Sequence, residues 1–592
     1  MKKLILILSI LLIASPIWAA IYHFNPSCST NGDGSGQDCG DAFNGSASLT
    51  LASGDTLKVV GTVPYDAKRY IYGTLSGVTI EGETDQSSTY DGADTVPTED
   101  WGSPTAGIYV WADNLADANC WVIVDDVPIR TATSASLDDS YCDEVGEHCY
   151  YKDSNNTYII LDGGAGVVGD HVVKIAKPVG VSLVNDDSVI IQDITMKNFF
   201  IGVLAWLSAT DNYSRSNTIQ RTIFNTMPFA LRAYKKAPAL AEDTPGWVID
   251  NNTADYVGNF AVSTDISLVG YYWTDGSFSH NTITHLGQPA AGVSYSWTAI
   301  GALSGGGIYD TNDTEAFGAQ NISGWTITGN NISGNATSVS NRGISIYARA
   351  VNGGTKGGTL DNIISRNVID GTYSYGIWLG GDAYNPHVSG NMIFANLIKN
   401  QAGSSYAGVR LKGDPSASSW NVFVNNTLAD NANGLMFSSA GIEDTQYWKI
   451  ENNLIYGSTG YHVDATGVSI SSDTNIIDYN SYYPDGAAKF AESGDFNFSG
   501  WAAAIGDQEA HSITADPELD GNYHIASDSP AKDAGTNPWS GDTSIHSLNG
   551  VMVWNGVSHL IVAPGGLIDI GAYEYTTGST GSGTGISGAS LN

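Results

Sequence analysis

WTITGNNISG (325–334) and NRGISIYARA (341–350) are followed by IISRNVIDG (363–371) and YGIWLGGDA (375–383). MIFANLIKN (392–400) with AGVRLKGDP (407–415), VFVNNTLAD (422–430) with NGLMFSSAG (433–441), and KIENNLIYG (449–457) with YHVD (461–464) complete the run. The same phrase is written five times: an apolar or alternating run, an Asn opening a short strand of type Asn-x-Ile/Leu, then a Gly-led strand. The anchoring residues Asn331, Asn367, Asn396, Asn426 and Asn453 stand 36, 29, 30 and 27 positions apart. A period in this range means a solenoid, because one such unit cannot bury its apolar face without a stacked neighbour.

Helical repeats would need apolar residues at i, i+3 and i+4. Here short runs such as Gly376-Ile377-Trp378-Leu379 and Gly408-Val409-Arg410-Leu411 alternate instead, and Ile, Val, Thr, Tyr and Asn dominate them. Short strands joined by tight Gly and Asn turns, three to a coil, make a parallel β-helix. An Asn recurring at the same turn stacks on its counterpart in the next coil as an amide ladder. In these features the chain resembles the right-handed parallel β-helix superfamily of pectate lyases, polygalacturonases and phage tailspikes. The expected fold is all-β: a right-handed parallel β-helix solenoid with a small antiparallel β insertion near the N-terminus.

At 592 residues the chain exceeds one ordinary domain, but a solenoid grows without splitting because each coil touches only its neighbours. The 69 glycines and 15% charged residues fit a turn-rich all-β protein. A net charge of −36 argues against nucleic acid or an anionic membrane surface as partner, since phosphate binding is mostly Lys/Arg neutralisation. It does not exclude an acidic polysaccharide, provided the few basic residues are gathered in one place; polysaccharide is the partner that the resemblance and the outward columns described below lead one to expect.

Residues 1–20, MKKLILILSILLIASPIWAA, read as a secretory signal peptide with Lys2 and Lys3, an apolar core and a small-residue end. The expected location is therefore secreted or cell-surface, by bacterial-type export, with no membrane insertion once the peptide is cut; no later run is apolar enough to span a bilayer. All five cysteines precede position 150. Cys28 with Cys39 and Cys142 with Cys149 flank two loops and read as local disulfides, with Cys120 left over, although connectivity stays open.

Residues 21–96 read as the N-terminal cap and first coils. The run Asn31, Asp33, Ser35, Gly36 partly imitates a calcium loop but lacks the closing bidentate acid; no cofactor or metal ligand set is assigned, and calcium is carried as an alternative to a plain turn. Residues 97–177 break the repeat as the antiparallel insertion, which covers an end or side of the solenoid or walls a cleft. Coils fill 178–510, with a long insertion from Gln288 to Gly306 that returns at Gly307-Ile308-Tyr309-Asp310. The segment 511–575 contains Ser529-Pro530-Ala531-Lys532-Asp533-Ala534-Gly535 and Asp569-Ile570-Gly571-Ala572-Tyr573-Glu574. It resembles the choice-of-anchor-like unit that ends many bacterial secreted β-helix proteins, and the resemblance implies a C-terminal cap over open strand edges. Residues 576–592 form a flexible Gly/Ser/Thr tail.

Alternation lets outward residues be sorted into columns, since equivalent positions on successive coils stack. One column after each Gly holds Arg232, Tyr309, Ser345, Trp378 and Arg410. The next holds Trp206, Tyr234, Tyr347 and Lys412, and the strand-to-turn edge holds Asp313, Arg349, Asp382 and Asp414. Only 25 Lys and Arg exist in the chain, so Arg349, Arg410 and Lys412 within three coils, beside aromatic rings, mark a sugar-binding face. Trp378, Tyr309, Trp206, Tyr234 and Arg232 are the expected substrate-binding residues. A solvated outer face with salt bridges between coils is the plain alternative.

Cleavage on such a face takes one of two forms. In a polyuronate lyase, where the resemblance implies a Lys or Arg base, Arg410 or Lys412 takes the ring proton, Arg349 clamps the carboxylate, Tyr347 donates a proton, and Asp382 and Asp414 serve as calcium ligands. A glycoside hydrolase needs two carboxylates, from Asp382, Asp414 and Asp313. Neither the polygalacturonase Asp-Asp pair in its usual surroundings nor the pectate lyase Arg-Pro motif is present, so no catalytic residue is carried over from the superfamily. The rival class is a non-catalytic surface adhesin or structural β-solenoid.

Overall fold

Each coil turns at residues that L-amino acids seldom supply. Asn251, His280, Gly329, Arg366, Ala395, Asn425, Asn452 and Tyr479 all adopt positive φ, and each directly precedes a buried Asn. The left-handed residue bends the chain sharply between two strands. The buried Asn then satisfies the backbone groups that the bend leaves open.

These bends belong to a computed structural model. It describes residues 19–572 with breaks, those of seven residues or more being 113–120, 132–148, 208–215, 236–245, 261–272, 287–297, 304–321, 335–341, 349–357, 413–419, 439–446, 537–545 and 561–567. Residues 1–18, which hold most of the leader read above as a signal peptide, and Cys120, Cys142 and residues 573–592 lie outside the described residues.

The chain winds into a right-handed parallel β-helix, the hand that crossovers between parallel strands adopt in nearly all cases. Among the described residues, a first sheet of thirteen parallel strands runs from Ile21–Phe24 to Ile476–Asp478. A second sheet runs beside it from Thr62–Pro64 to Ser481–Tyr483. A third, of eight described strands, runs from Thr298–Leu303 and holds Arg342–Ala348, Tyr375–Gly381, Val409–Leu411 and Leu435–Phe437. No helix among the described residues is long and apolar enough to cross a membrane.

The strands of the first sheet mostly expose, bury and expose in turn, as in Thr218–Gln220 and Thr326–Thr328. The single inward residue of each coil, Ile219, Ile249, Phe278, Ile327, Ile364, Ile393 and Phe423, forms a continuous buried column. This places one branched or aromatic side chain per rung against the other two sheets. Glycine opens the third sheet for a steric reason: a Cβ on Gly343 or Gly376 would come within 2.6 or 2.3 Å of the Ile369 or Ile398 side chain.

The Asn ladder is present and longer than the repeat suggests. Asn252, Asn281, Asn330, Asn367, Asn396, Asn426, Asn453 and Asn480 are joined by side-chain bonds of 2.9–3.1 Å from each Nδ2 to the next Oδ1. The first anchoring residue needs correction. Asn330 is the ladder member, while Asn331 is an exposed strand residue. A second ladder joins Asn362, Asn391 and Asn421 at another corner.

The segment between the early coils is a true insertion, because Glu81 on Thr79–Gly82 pairs directly with Gln192 on Ile190–Gln192. Ile108–Ala112, Cys149–Lys152 and Asn156–Ile160 pair antiparallel within it, and its core is separate from that of the solenoid. It joins the coils through Val173–Val184, which pairs antiparallel with Trp121–Val124 and parallel with Phe199–Leu207. Cys28 and Cys39 form a disulfide. Asp33 accepts from the Ser35 backbone at 2.9 Å and Asn31 from the Asn44 backbone at 3.0 Å, so both side chains serve their own turn.

At the far end, Glu509 receives the last ladder amide, Asn480, at 3.4 Å, together with the Tyr482 hydroxyl at 2.5 Å. Ile513 bridges to Ser481 and covers the final strand. The chain then runs back along the outside of the coils. Tyr523 donates to Asp430 at 2.7 Å, Asn452 to the Thr536 carbonyl at 2.7 Å, and Asn425 to the Asp569 carbonyl at 3.1 Å.

Candidate carbohydrate-binding face

On the third sheet, register places Ser345, Trp378, Arg410 and Met436 opposite one another on successive strands, and Asp464 after them. Their neighbours Ile344, Ile346, Ile377, Leu379, Val409 and Leu411 are fully buried in the core, so alternation turns this column outward. Parallel strands set successive members about 4.8 Å apart.

Arg410 is held by two neutral hydroxyls. Its Nη1 donates to the Tyr375 hydroxyl at 3.1 Å and its Nη2 to Ser438 Oγ at 3.0 Å. The guanidinium carbon lies 5.3 Å from the Tyr375 ring centre and 5.2 Å from that of Trp378. No carboxylate among the described residues forms an ion pair with it. Its Nε is buried without a hydrogen-bond partner, as is the hydroxyl of Ser345, a residue with no exposed surface.

Arg342 completes the cluster, 4.0 Å from the centre of the Trp378 ring. Tyr375 also meets Trp378 at 5.9 Å and Tyr406 edge-on at 5.1 Å. Burial pushes the Tyr375 phenol above its usual range, and the Arg410 charge opposes that shift. Lys412 is 6% exposed. A Cβ on Gly380 would lie 2.9 Å from that of Lys412, so the glycine lets the lysine stem pass.

The anticipated residues divide into three groups. Trp378 and Arg410 are register neighbours, and Lys412 follows on the same strand end. Leu204 lies opposite Arg232 and Trp206 opposite Tyr234, several coils toward the N-terminus, where the Arg232 guanidinium sits 5.1 Å from the Phe229 ring. Tyr347 lies opposite Gly380 in the backbone, but its side chain, like those of Trp206 and Tyr234, is outside the description. Arg349, Asp382, Asp414, Asp313 and Tyr309 fall outside the described residues.

One register assignment is corrected. The rung beside Arg342–Ala348 is Thr298–Leu303, inside the segment read as an insertion, and Gly301 and Leu303 pair with Ser345 and Tyr347. Gly301 is thus the residue opposite Ser345, and Tyr309 lies outside the described residues. Both TAIGAL and GGIYD are Gly-containing apolar runs, so alternation could not choose between them. Arg342 and Tyr375 were missed for a different reason. Each stands just before the Gly that opens its strand, one step ahead of where the columns were started.

The described molecule is a parallel β-helix with a basic, aromatic-lined outer face. No family model matches the chain, and no curated protein matches it. Among solved structures, the complex of XylC with xylose covers 84% of this chain and 87% of its own, at 12% identity and a TM-score of 0.47. The GH136 lacto-N-biosidase from Eubacterium ramulus covers 81% and 67%, at 10% identity and 0.35. Pectate lyase Pel9A covers 95% and 98%, at 12% identity and 0.31. No residue role is carried over from them.

Proposed function

We propose that this protein binds a polysaccharide along the face built by Arg342, Tyr375, Trp378, Arg410 and Lys412, and cleaves it by β-elimination. The observation that carries the reading is Arg410: a guanidinium oriented by two hydroxyls, flanked by two aromatic rings, with no ion pair among the described residues. A fixed cation of this kind suits a sugar carboxylate, whose neutralisation makes the neighbouring ring proton acidic. With Arg410 as the cation that neutralises the carboxylate, Lys412 is the base in this reading, and the Tyr375 hydroxyl, kept protonated by burial, joins Tyr347 as a proton donor.

Hydrolysis would need a facing pair of carboxylates on the same wall, and the column of described residues offers Asp464 alone. Export from the cell belongs to the same proposal, resting on the leader of residues 1–20 and on the Cys28–Cys39 disulfide, which suits an oxidising compartment.

The test is a panel of acidic and neutral polysaccharides, read for ultraviolet absorbance of an unsaturated product and for reducing ends. Both signals on an acidic polymer, abolished by Arg410→Ala, support the lyase. Reducing ends alone indicate hydrolysis, and retention without cleavage indicates an adhesin.

A further inference from the structure

The first sheet carries an apolar stripe that is not part of its core. Ile363, Met392, Phe394, Val422 and Val424 occupy outward positions on three successive strands, form a cluster distinct from the interior column, and are 0–3% exposed. Neighbours within the sheet do not bury such positions. Val248 and Ile476, outward on the same sheet, are 37% and 41% exposed. The stripe continues into Lys449 and Glu451, whose side chains are 12% and 9% exposed, and ends before Ile476. Something therefore lies across these coils and stops at the next.

The chain itself leaves and returns beside this stripe. Thr536 is tied to Asn452 at 2.7 Å and 2.9 Å, next to Glu451, and Asp569 to Asn425 at 3.1 Å, next to Val424. The two ends meet, with the Gly535 amide donating to the Ile568 carbonyl at 2.8 Å. Between them runs a three-stranded antiparallel ribbon, His546–Leu548, Val551–Trp554 and Val557–Leu560, whose register puts Leu548, Val551 and Leu560 in one cross-strand row. A four-residue strand spans about 13 Å, and three successive parallel strands span about 10 Å, so ribbon and stripe match in size.

We propose that the ribbon His546–Leu560 is a strap that lies against the outside of the first sheet and covers the Ile363–Met392–Phe394–Val422–Val424 stripe. It shields apolar surface that would otherwise recruit a second molecule, and it fastens the C-terminal segment to the middle of the solenoid rather than to its end.

The full-length double variant Met392→Cys, Val551→Cys, oxidised and mapped by peptide mass spectrometry, gives a cross-link within one chain; the control pair Thr218→Cys, Val551→Cys gives none. In a chain with residues 537–567 replaced by a short Gly/Ser linker, the thiol of Met392→Cys reacts with a maleimide at least tenfold faster than in the full chain. A missing cross-link, a link only between chains, or unchanged thiol reactivity overturns the strap; a link between chains assigns the stripe to a second copy.

Discussion

Arg410 and Tyr375 stand on adjacent coils and meet twice, the guanidinium donating to the phenol oxygen at 3.1 Å while its carbon lies 5.3 Å from the ring centre. The phenol fixes where the charge points and the ring supplies a face that costs it no neutralisation. An arginine held this way is pre-organised, so little side-chain freedom is lost when a ligand carboxylate arrives.

Replacing Arg410 by Lys keeps the charge and removes the two-pronged geometry. Hydrogen bonds to charged groups contribute about 1.5–3 kcal/mol, so affinity for the bound polysaccharide should fall about tenfold to a hundredfold, with the urea unfolding midpoint nearly unchanged. Affinity electrophoresis and urea titration of the same preparations check both halves. Retained affinity in Arg410→Lys would remove the bidentate role.

Arg342 lies against the Trp378 ring at 4.0 Å, a contact worth about 0.5–2 kcal/mol. With one face of the indole occupied, Trp378 is a spacer between two guanidiniums more than an open sugar platform. Arg342→Ala should change the tryptophan near-ultraviolet circular dichroism and weaken polysaccharide binding less than Arg410→Lys does. A loss of binding equal to that of Arg410→Lys would make Arg342 a direct ligand residue.

The Asn ladder predicts a sharp contrast between two asparagines that the sequence repeat sets at the same position. Asn396 donates to Asn426 and to the Ile364 carbonyl and accepts from the Asn367 backbone and side chain, all at 2.9–3.0 Å and all buried. Asn396→Ala leaves several of these groups unpaired at about 1–3 kcal/mol each, so a loss of about 3 kcal/mol or more is expected. Asn331→Ala, on an exposed strand position, should stay within about 0.5 kcal/mol. Urea denaturation followed by tryptophan fluorescence separates them, and equal losses would contradict the assignment of the ladder to Asn330.

What the sequence disclosed and what it hid follow the same physical line. The coil repeat and the pairing of Trp378 with Arg410 were legible because strand alternation and Gly spacing are unbroken from Ile363 to Met436. Register across 287–321 was not legible, since two Gly-rich apolar runs compete there and only the paired strand Thr298–Leu303 decides. Arg342 and Tyr375 escaped because they precede the glycine, where the chain turns the corner and alternation says nothing about direction. The apolar outer stripe was present in the sequence as Met392-Ile393-Phe394 and Val422-Phe423-Val424, runs apolar on both faces, which is the pattern of a strand covered on both sides.

Glu451 gives the strap a pH signature. Burial raises its carboxyl to about 7, against the opposing charge of Lys449, whose Nζ is 3.6 Å away. A carboxyl whose folded value lies above its unfolded one contributes stability that is fully present below the unfolded value and is lost as pH rises through the folded value. The loss therefore falls between about pH 4.5 and 7, and an upward shift of this size is worth on the order of 3 kcal/mol. Glu451→Gln cannot ionise, so relative to the wild type it should lose less stability, or gain more, as pH rises across this window. Urea midpoints at pH 5 and pH 7.5 measure the difference. Parallel slopes for the two proteins would show that Glu451 ionises freely in the folded state, and so that the coil at Lys449 and Glu451 is open to water instead of covered.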